Sequence, residues 1–248
     1  MDVAYIPFTF PGVENVSCAF QTRAQNAGPD PYDGGNISFD VDDDPEKVLQ
    51  NRVALQERLG FSLWQELKQV HGTDMIFEPK PGDVKEPGSI EADGLATTRP
   101  GQALVMKSAD CQPLLLAHAS GKYVAALHVG WMGNRLHFPA LGIATFCRQY
   151  GLNPKEVFVV RGPSLGPGAS EFTNFDEDFG EDFRAFFDPE TKTVNLWLLT
   201  MGQILKAGIL PGNIFSLDLC THSLPETFFS FRRNKVCGRQ ASIIWIKD

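Results

Sequence analysis

Two short apolar runs near the middle of the chain predict a pair of buried strands. They cover residues 113–118 and 124–129, and a short polar turn separates them. Neither run has a breaking residue inside it, which favours strands that are buried on both faces. If the strands pair as an antiparallel hairpin, Cys111 before the first and His128 near the end of the second lie at the same end of the sheet. This arrangement indicates either a metal site or a Cys/His nucleophilic site.

Helical and strand patterns alternate irregularly along the rest of the chain. The helical patterns cover residues 45–59, 136–150, 176–187 and 196–207. The strand patterns cover residues 1–23, 65–77, 157–160, 214–217, 228–233 and 241–246. Within 65–77 we expect two paired strands around His71, and we expect the last two segments to pair with each other. The mixture predicts an α/β (α+β) fold of mixed β-sheets covered by helices, in a single domain spanning residues 1–248.

Composition and charge narrow the classes of function. The formal net charge is −8 and no basic stripe occurs, which argues against nucleic acid as a partner, since phosphate backbones need clustered Lys and Arg. No apolar run approaches the ~18 residues of a membrane helix, and the N-terminal residues lack a signal-peptide pattern. The five cysteines form no CxxC pair. We therefore expect a cytoplasmic protein with reduced thiols and no membrane partner.

Four motifs follow one another in a recognisable order. They are Gln-Val-His-Gly at 69–72, Ala-Asp-Cys-Gln-Pro-Leu-Leu-Leu at 109–116, Ala-Leu-His-Val-Gly-Trp-Met-Gly at 126–133 and Phe-Phe-Ser-Phe-Arg-Arg at 228–233. Together they resemble the bacterial YfiH/laccase-domain family, which is known as multicopper polyphenol oxidase-like and as zinc-dependent purine nucleoside phosphorylases. The resemblance runs from about residue 20 to residue 239 and implies a single YfiH-like domain.

The resemblance implies a metal centre. By the matched motifs, His71, Cys111 and His128 are the three metal ligands, and Cys111 and His128 also belong to the catalytic set. Two imidazoles and one thiolate are typical of catalytic zinc sites, which keep a fourth position open and lower the pKa of a bound water to about 7. Copper is the alternative metal, although three donors cannot build a multicopper cluster and no His-x-His motif occurs.

Asp110 completes the predicted catalytic set. Hydrolytic zinc sites commonly need a carboxylate, so we expect Asp110 to orient a ligand histidine or to act as a general base. The alternative is a structural carboxylate that holds backbone amides at the entry to the strand.

The implied substrates are small molecules, a purine nucleoside and phosphate. Phosphorolysis would cleave the N-glycosidic bond to give the free base and ribose 1-phosphate, and the resemblance also implies deamination of adenosine. The candidate substrate-binding residues are Arg23, Arg161, Glu171, Arg232 and Arg233. Forked guanidinium donors suit phosphate. Met132 stands where the family usually carries Arg, and we expect Arg161 to compensate for that loss.

Other functions stay open at this point. A metal-free hydrolase would use Cys111 as nucleophile and His128 as base, for example in the editing of peptidoglycan precursors. A copper-dependent phenol oxidase and a binding protein with a purely structural metal are the remaining alternatives.

Overall fold

Most strands of this computed structural model, which describes residues 3–24 and 27–248, belong to two sheets. The strands are β1 (Ala4–Phe8), β2 (Val16–Thr22), β3 (Leu63–Glu66), β4 (Met75–Phe77), β5 (Gly94–Thr97), β6 (Gln102–Ser108), β7 (Gln112–His118), β8 (Val124–Val129), β9 (Val157–Arg161), β10 (Phe187–Asp188), β11 (Thr193–Val194), β12 (Ile214–Ser216) and β13 (Gln240–Ile246). The helices are α1 (Pro45–Leu59), α2 (Trp131–Arg135), α3 (Phe138–Tyr150), α4 (Phe175–Asp178) and α5 (Leu196–Lys206). Short 3₁₀ turns cover Pro154–Glu156, Pro167–Ala169, Glu181–Phe186 and Pro211–Asn213. The predicted domain bounds of 1–248 include residues 1, 2, 25 and 26, which lie outside the described residues.

The two sheets pack face to face between helices. The first sheet has the order β1-β2-β13-β6-β3 and the second has the order β12-β9-β7-β8-β5-β4. Apolar side chains of both sheets, such as Met106 and Leu115, form one buried cluster between them. Helix α1 packs on the outer face of the first sheet through Leu55, and α3 and α5 cover the outer face of the second sheet through Phe146 and Ile204. The predicted mixed α/β fold is confirmed. No described helix is long and apolar enough to cross a membrane.

The predicted central hairpin is confirmed. Strands β7 and β8 pair antiparallel, with Gln112 opposite Val129 and Pro113 opposite His128. Strands β9 and β5 flank the hairpin on either side, so its apolar residues are buried on both faces. Cys111 directly precedes β7 and therefore lies at the same end of the sheet as His128.

Two predicted strand pairs are wrong. Strands β3 and β4 belong to different sheets, because the chain crosses from one sheet to the other between them. Residues 228–233 form no strand, since both edges of β13 are already taken by β2 and β6. Their backbone finds other partners, and the amide of Phe229 donates to the side chain of Gln240.

The helical predictions hold for three of four segments. Helices α1, α3 and α5 lie where the pattern predicts them, and Asp44 caps α1 by accepting a hydrogen bond from the amide of Glu46. The segment 176–187 is instead broken into α4 and a 3₁₀ turn. Gly180 lies between them with a φ of 87°, a value that glycine adopts without the strain of other residues.

Candidate metal centre

The three predicted metal ligands converge at the end of the central hairpin. One donor atom from each of His71, Cys111 and His128 lies within 4.8 Å of the other two. Cys111 Sγ is 3.8 Å from His71 Nε2, and the two imidazole rings are 4.9 Å apart between centroids. In a tetrahedral zinc site a sulfur and a nitrogen ligand are separated by about 3.6 Å. The donor set therefore fits one metal ion with only small side-chain movements.

Backbone conformation brings the ligands together. His71 has a φ of 61° in the segment between β3 and β4, and Asp110 has a φ of 100° just before Cys111. Such values are costly for residues other than Gly and persist only where the surrounding structure holds them. Gly130 follows β8, and a Cβ atom at this position would lie 3.0 Å from the His71 ring and 3.1 Å from Cys111 Sγ. The centre therefore depends on a glycine at 130 to leave room for two of its ligands.

Asp93 contacts two of the predicted metal ligands from the interior of the protein. This fully buried carboxylate accepts a hydrogen bond of 2.8 Å from His128 Nδ1, which leaves His128 Nε2 as the donor atom for a metal. Its second oxygen accepts from the amides of Gly72 and Val70, on either side of His71. Burial by itself raises the pKa of Asp93, but the hydrogen bond and charge of His128 hold it below its ordinary value. Asp93 thus orients two of the three ligands.

Asp110 makes the contacts of the structural alternative. Its carboxylate accepts from the Thr221 hydroxyl at 2.6 Å and from the amide of Arg232 at 2.6 Å. Among the described residues Asp110 makes no hydrogen bond to a ligand histidine, and Asp93 is the carboxylate that contacts His128. Asp110 instead fastens two C-terminal segments to the entry of β7, and its role as a general base stays a prediction.

Cys111 and His128 perturb each other strongly. Burial raises the pKa of the Cys111 thiol, but the neighbouring imidazoles of His128 and His71 outweigh it and lower this pKa to about 6. Burial lowers the pKa of His128, but Cys111 and Asp93 raise it to about 9. Both shifts favour the thiolate form of Cys111 and the protonated form of His128 in the protein without a metal. A thiolate is both the form that binds metals and the form that acts as a nucleophile.

Two cavities of about 390 Å³ each open onto the centre. We call the first the polar cavity, and it is lined by Asp40, Lys68, Gln69, Lys107, Ser108 and Arg239. We call the second the aromatic cavity, and it is lined by Trp131, Met132, Leu165, Phe172, Leu196, Arg232 and Lys235, together with Asp110 and Gln112 at the entry to β7. Both cavities also reach His71 and Cys111, and the 43% exposed ring of Phe231 lines both of them. The centre therefore opens onto two neighbouring spaces that differ in their charged groups and in their aromatic rings.

Arg232 and Glu171 meet beside the aromatic cavity. The Arg232 guanidinium donates to the main-chain carbonyl of Glu171 at 2.7 Å and lies over the ring of Phe172. The contact uses the backbone of Glu171, and its side chain is exposed. Of the predicted substrate-binding residues, Arg232 is the one that lines a cavity at the centre.

Three other predicted substrate-binding residues lie outside the two cavities. The guanidinium groups of Arg23 and Arg233 donate to main-chain carbonyls of neighbouring loops. Arg161 is buried on β9, where its guanidinium contacts Asp218, the hydroxyl of Ser164 and the ring of Trp197. Local partners thus occupy these donors, and the expected compensation for Met132 by Arg161 has no support in the contacts of Arg161.

Comparison with known proteins agrees with this architecture. The model of the family described as multi-copper polyphenol oxidoreductase laccase matches residues 17–247. The chain is 31% identical over 255 residues to the Escherichia coli K12 protein named purine nucleoside phosphorylase YfiH, with 96% of each chain covered. It is 30% identical to the Pseudomonas aeruginosa protein named purine nucleoside phosphorylase PA4543, with 99% of each chain covered. The crystal structure of the Bacillus licheniformis hypothetical protein YfiH superposes with a TM-score of 0.85 at 26% identity, covering 94% of this chain and 93% of that one. This chain belongs to the YfiH/laccase-domain family.

Proposed function

We propose that this protein is a zinc-dependent purine nucleoside phosphorylase. The observation that carries the proposal is the His71–Cys111–His128 centre, which lies between a polar cavity and an aromatic cavity. A nucleoside carries a flat aromatic base, which suits the rings of Trp131 and Phe172 in one cavity, and phosphate is a compact anion, which suits the arginine and lysine side chains of the other. Relatives at about 30% identity over nearly the whole chain bear the name of this activity, which supports the class of reaction.

The donor set favours zinc as the metal. One thiolate and two imidazoles match the ligands of catalytic zinc sites, and a soft thiolate disfavours magnesium or calcium. Within residues 3–24 and 27–248, His71, Cys111 and His128 form the one group of three or more His, Cys, Asp or Glu donors within reach of an ion. That group supports a single-ion site rather than the several coppers of the family's description. Zinc bound there would supply Lewis acidity and lower the pKa of a bound water to about 7.

The residues around the centre have separate tasks in this reaction. Asp93 keeps the proton on His128 Nδ1 and fixes the ring orientation. The rings of Trp131 and Phe172, 5.8 Å apart between centroids, offer apolar faces to the purine base. Arg232 lines the same cavity and is assigned to the nucleoside. A phosphate oxygen forms a bond to ribose C1′ while the C1′–N9 bond breaks, and the base leaves with the electron pair and takes up a proton.

The aromatic cavity also favours a second activity, the hydrolytic deamination of adenosine. It shares His71 and Cys111 with the centre, so a base held there has one edge next to the metal ligands. The reaction consumes water and releases inosine and ammonia. It needs no phosphate, which separates it from phosphorolysis in an assay.

The metal-free hydrolase remains the competing function. Its support is the thiolate of Cys111 beside the imidazolium of His128, an arrangement that activates cysteine nucleophiles. The metal-dependent phosphorylase and the metal-free hydrolase exclude each other, because a thiolate that binds a metal is not free to attack a substrate.

Metal analysis beside an adenosine assay tests the proposal. The purified protein should contain one zinc per chain, release adenine only when phosphate is present, and lose this activity with a chelator and regain it with zinc. Cys111 should resist iodoacetamide until the chelator removes the metal. Product release that needs neither metal nor phosphate, with rapid alkylation of Cys111, would instead identify a cysteine hydrolase.

A further inference from the structure

The cations of the polar cavity differ in their partners. Lys68 pairs with a surface carboxylate at 2.8 Å, and Lys107 lies between the carboxylates of Asp40 and Glu66. Arg239 has no carboxylate partner among residues 3–24 and 27–248. It therefore contributes the uncompensated positive charge of this cavity.

Arg239 is also held in a fixed position. Its Nη1 donates to the carbonyls of Cys237 at 2.7 Å and Gly238 at 3.1 Å, and its guanidinium lies 5.8 Å from the centre of the Phe231 ring. Its Nε and Nη2 have no hydrogen-bond partner in the described part of the chain. An immobilised guanidinium with two free nitrogen donors matches the geometry of an oxyanion.

A buried hydroxyl lines the same cavity. Ser108, the last residue of β6, is 3% exposed, and its Oγ has no hydrogen-bond partner among the described residues. A buried hydroxyl without a partner is unfavourable and uncommon in folded proteins. A ligand with acceptor oxygens in the polar cavity would satisfy it.

The carboxylate of Asp40 does not oppose an anion here. Asp40 lines the cavity and would repel phosphate if its charge were uncompensated, but the Lys107 ammonium pairs with it. Lys107 is 5% exposed and also contacts Glu66, so the interior holds its ammonium in place beside the half-exposed carboxylate of Asp40. Among the described Lys and Arg residues of this cavity, Arg239 is therefore the one without a carboxylate partner.

We infer that the polar cavity is the phosphate subsite, where Arg239 and Ser108 bind the oxyanion on the opposite side of Phe231 from the purine base. This inference rests on the proposed phosphorylase function and assigns its cosubstrate to residues that no motif had indicated. Arg232, in the aromatic cavity, offers the competing position. Its guanidinium lies over Phe172 and already donates to the carbonyl of Glu171, and two aromatic rings beside it suit a base.

Calorimetric titration of the zinc-loaded protein with inorganic phosphate alone tests the inference. Arg239→Gln removes a charge-assisted contact, so the affinity for phosphate should fall by about 10- to 100-fold. Ser108→Ala should reduce it by about 3- to 10-fold through loss of one hydrogen bond. Arg232→Gln is the matched control, because it removes an arginine from the other cavity, and it should change the affinity by less than about twofold.

Two further measurements keep the test decisive. Arg239 also donates to two carbonyls, so each variant is checked for zinc content and melting temperature. Arg239→Lys keeps the positive charge but removes the forked donors of the guanidinium group. Loss of phosphate binding in Arg232→Gln but not in Arg239→Gln would overturn the inference, as would a wild-type protein that binds no phosphate. Phosphate binding that depends on Arg239, in a protein that forms no ribose 1-phosphate, would contradict the proposed function alone.

Discussion

The two cavities at the metal centre are built from different parts of the fold. The polar cavity lies over a buried ion network of the first sheet, in which Glu66 on β3 accepts from Arg52 on α1 and Lys107 on β6. The aromatic cavity has walls from α2 and from the excursion between β9 and α5, where Trp131 and Phe172 belong to a separate cluster of aromatic rings. The polar cavity thus rests on residues of the core, and the aromatic cavity is lined by residues of a separate aromatic cluster.

This difference predicts that substitutions near the two cavities affect different properties of the protein, stability in one case and substrate binding in the other. Charges buried in the framework cannot be changed without cost to the fold, because each has partners on distant segments. A ring in a satellite cluster can be replaced by another apolar side chain with a smaller effect on the whole molecule. We therefore expect changes below the polar cavity to affect folding and changes around the aromatic cavity to affect the nucleoside.

The largest expected effect concerns the centre that both cavities share. Cys111→Ser should remove stoichiometric zinc and abolish metal-dependent activity, since a three-donor site has no spare ligand. Mass spectrometry of the metal content and an adenosine assay measure both effects. Cys220→Ser, at a half-buried cysteine outside the donor group, is the control and should keep its metal. Full zinc retention in Cys111→Ser would show that Cys111 is not a ligand.

The next prediction concerns the buried ion network below the polar cavity. Glu66→Gln should lower the free energy of unfolding at pH 7 by about 3–5 kcal/mol, because it leaves the buried charges of Arg52 and Lys107 without their carboxylate. Urea unfolding measures the change. Glu91→Gln, which breaks the exposed pair with Lys68, should leave the free energy of unfolding nearly unchanged.

The same carboxylate predicts a pH dependence. Burial by itself raises the pKa of Glu66, but Lys107 and Arg52 hold it below its ordinary value. The stability contributed by ionised Glu66 is therefore complete above its unfolded pKa of about 4.3 and is lost as the pH falls through the lower folded value. The difference between wild type and Glu66→Gln should shrink below about pH 4. A constant difference across this range would contradict the assigned network.

A smaller effect separates the two carboxylates near the centre. Asp93→Asn should lower zinc affinity by about 10- to 100-fold, because it weakens the support of His128 and of the His71 turn. Asp110→Asn is the matched control and should change zinc affinity by less than about threefold, since its carboxylate contacts Thr221 and the amide of Arg232. Competition with a zinc-binding dye measures both affinities. Equal losses would mean that the orienting role is shared.

The smallest expected effect concerns the aromatic cavity. Phe172→Leu keeps an apolar side chain but removes a ring face, so the KM for the nucleoside should rise by about 2- to 10-fold while the KM for phosphate changes little. Phe187→Leu alters the same aromatic cluster outside the cavity and should leave both constants unchanged. Steady-state kinetics with each substrate varied in turn measure the effect. A rise in the KM for phosphate alone would reverse the assignment of the cavities.

The sequence predicts the part of the centre that depends on local pattern. Two apolar runs and a short turn suffice to predict β7 and β8, and their pairing brings Cys111 and His128 together. His71 follows from a motif match alone, because its position depends on a crossing between the two sheets. The pattern around 65–77 contains no sign of that crossing, and so the predicted pairing of its strands is wrong.

Roles that depend on distant contacts are not visible in the sequence. Asp93 reaches His128 because Gly94 pairs with Leu127 across β5 and β8, and no spacing of residues encodes that pairing. The sequence does not distinguish Arg161 from Arg239 as a phosphate ligand. The fold decides which of the two guanidinium groups is already hydrogen-bonded to other residues. Arg161 contacts a carboxylate and a tryptophan, whereas two nitrogen donors of Arg239 have no partner among residues 3–24 and 27–248.

Phosphorus NMR of the zinc-loaded protein with a purine nucleoside and inorganic phosphate tests the central claim most directly. The account predicts that a ribose 1-phosphate signal appears in step with the free base, and that Cys111→Ser forms neither product. Release of the base without ribose 1-phosphate, or undiminished turnover in Cys111→Ser, would contradict a metal-dependent phosphorylase.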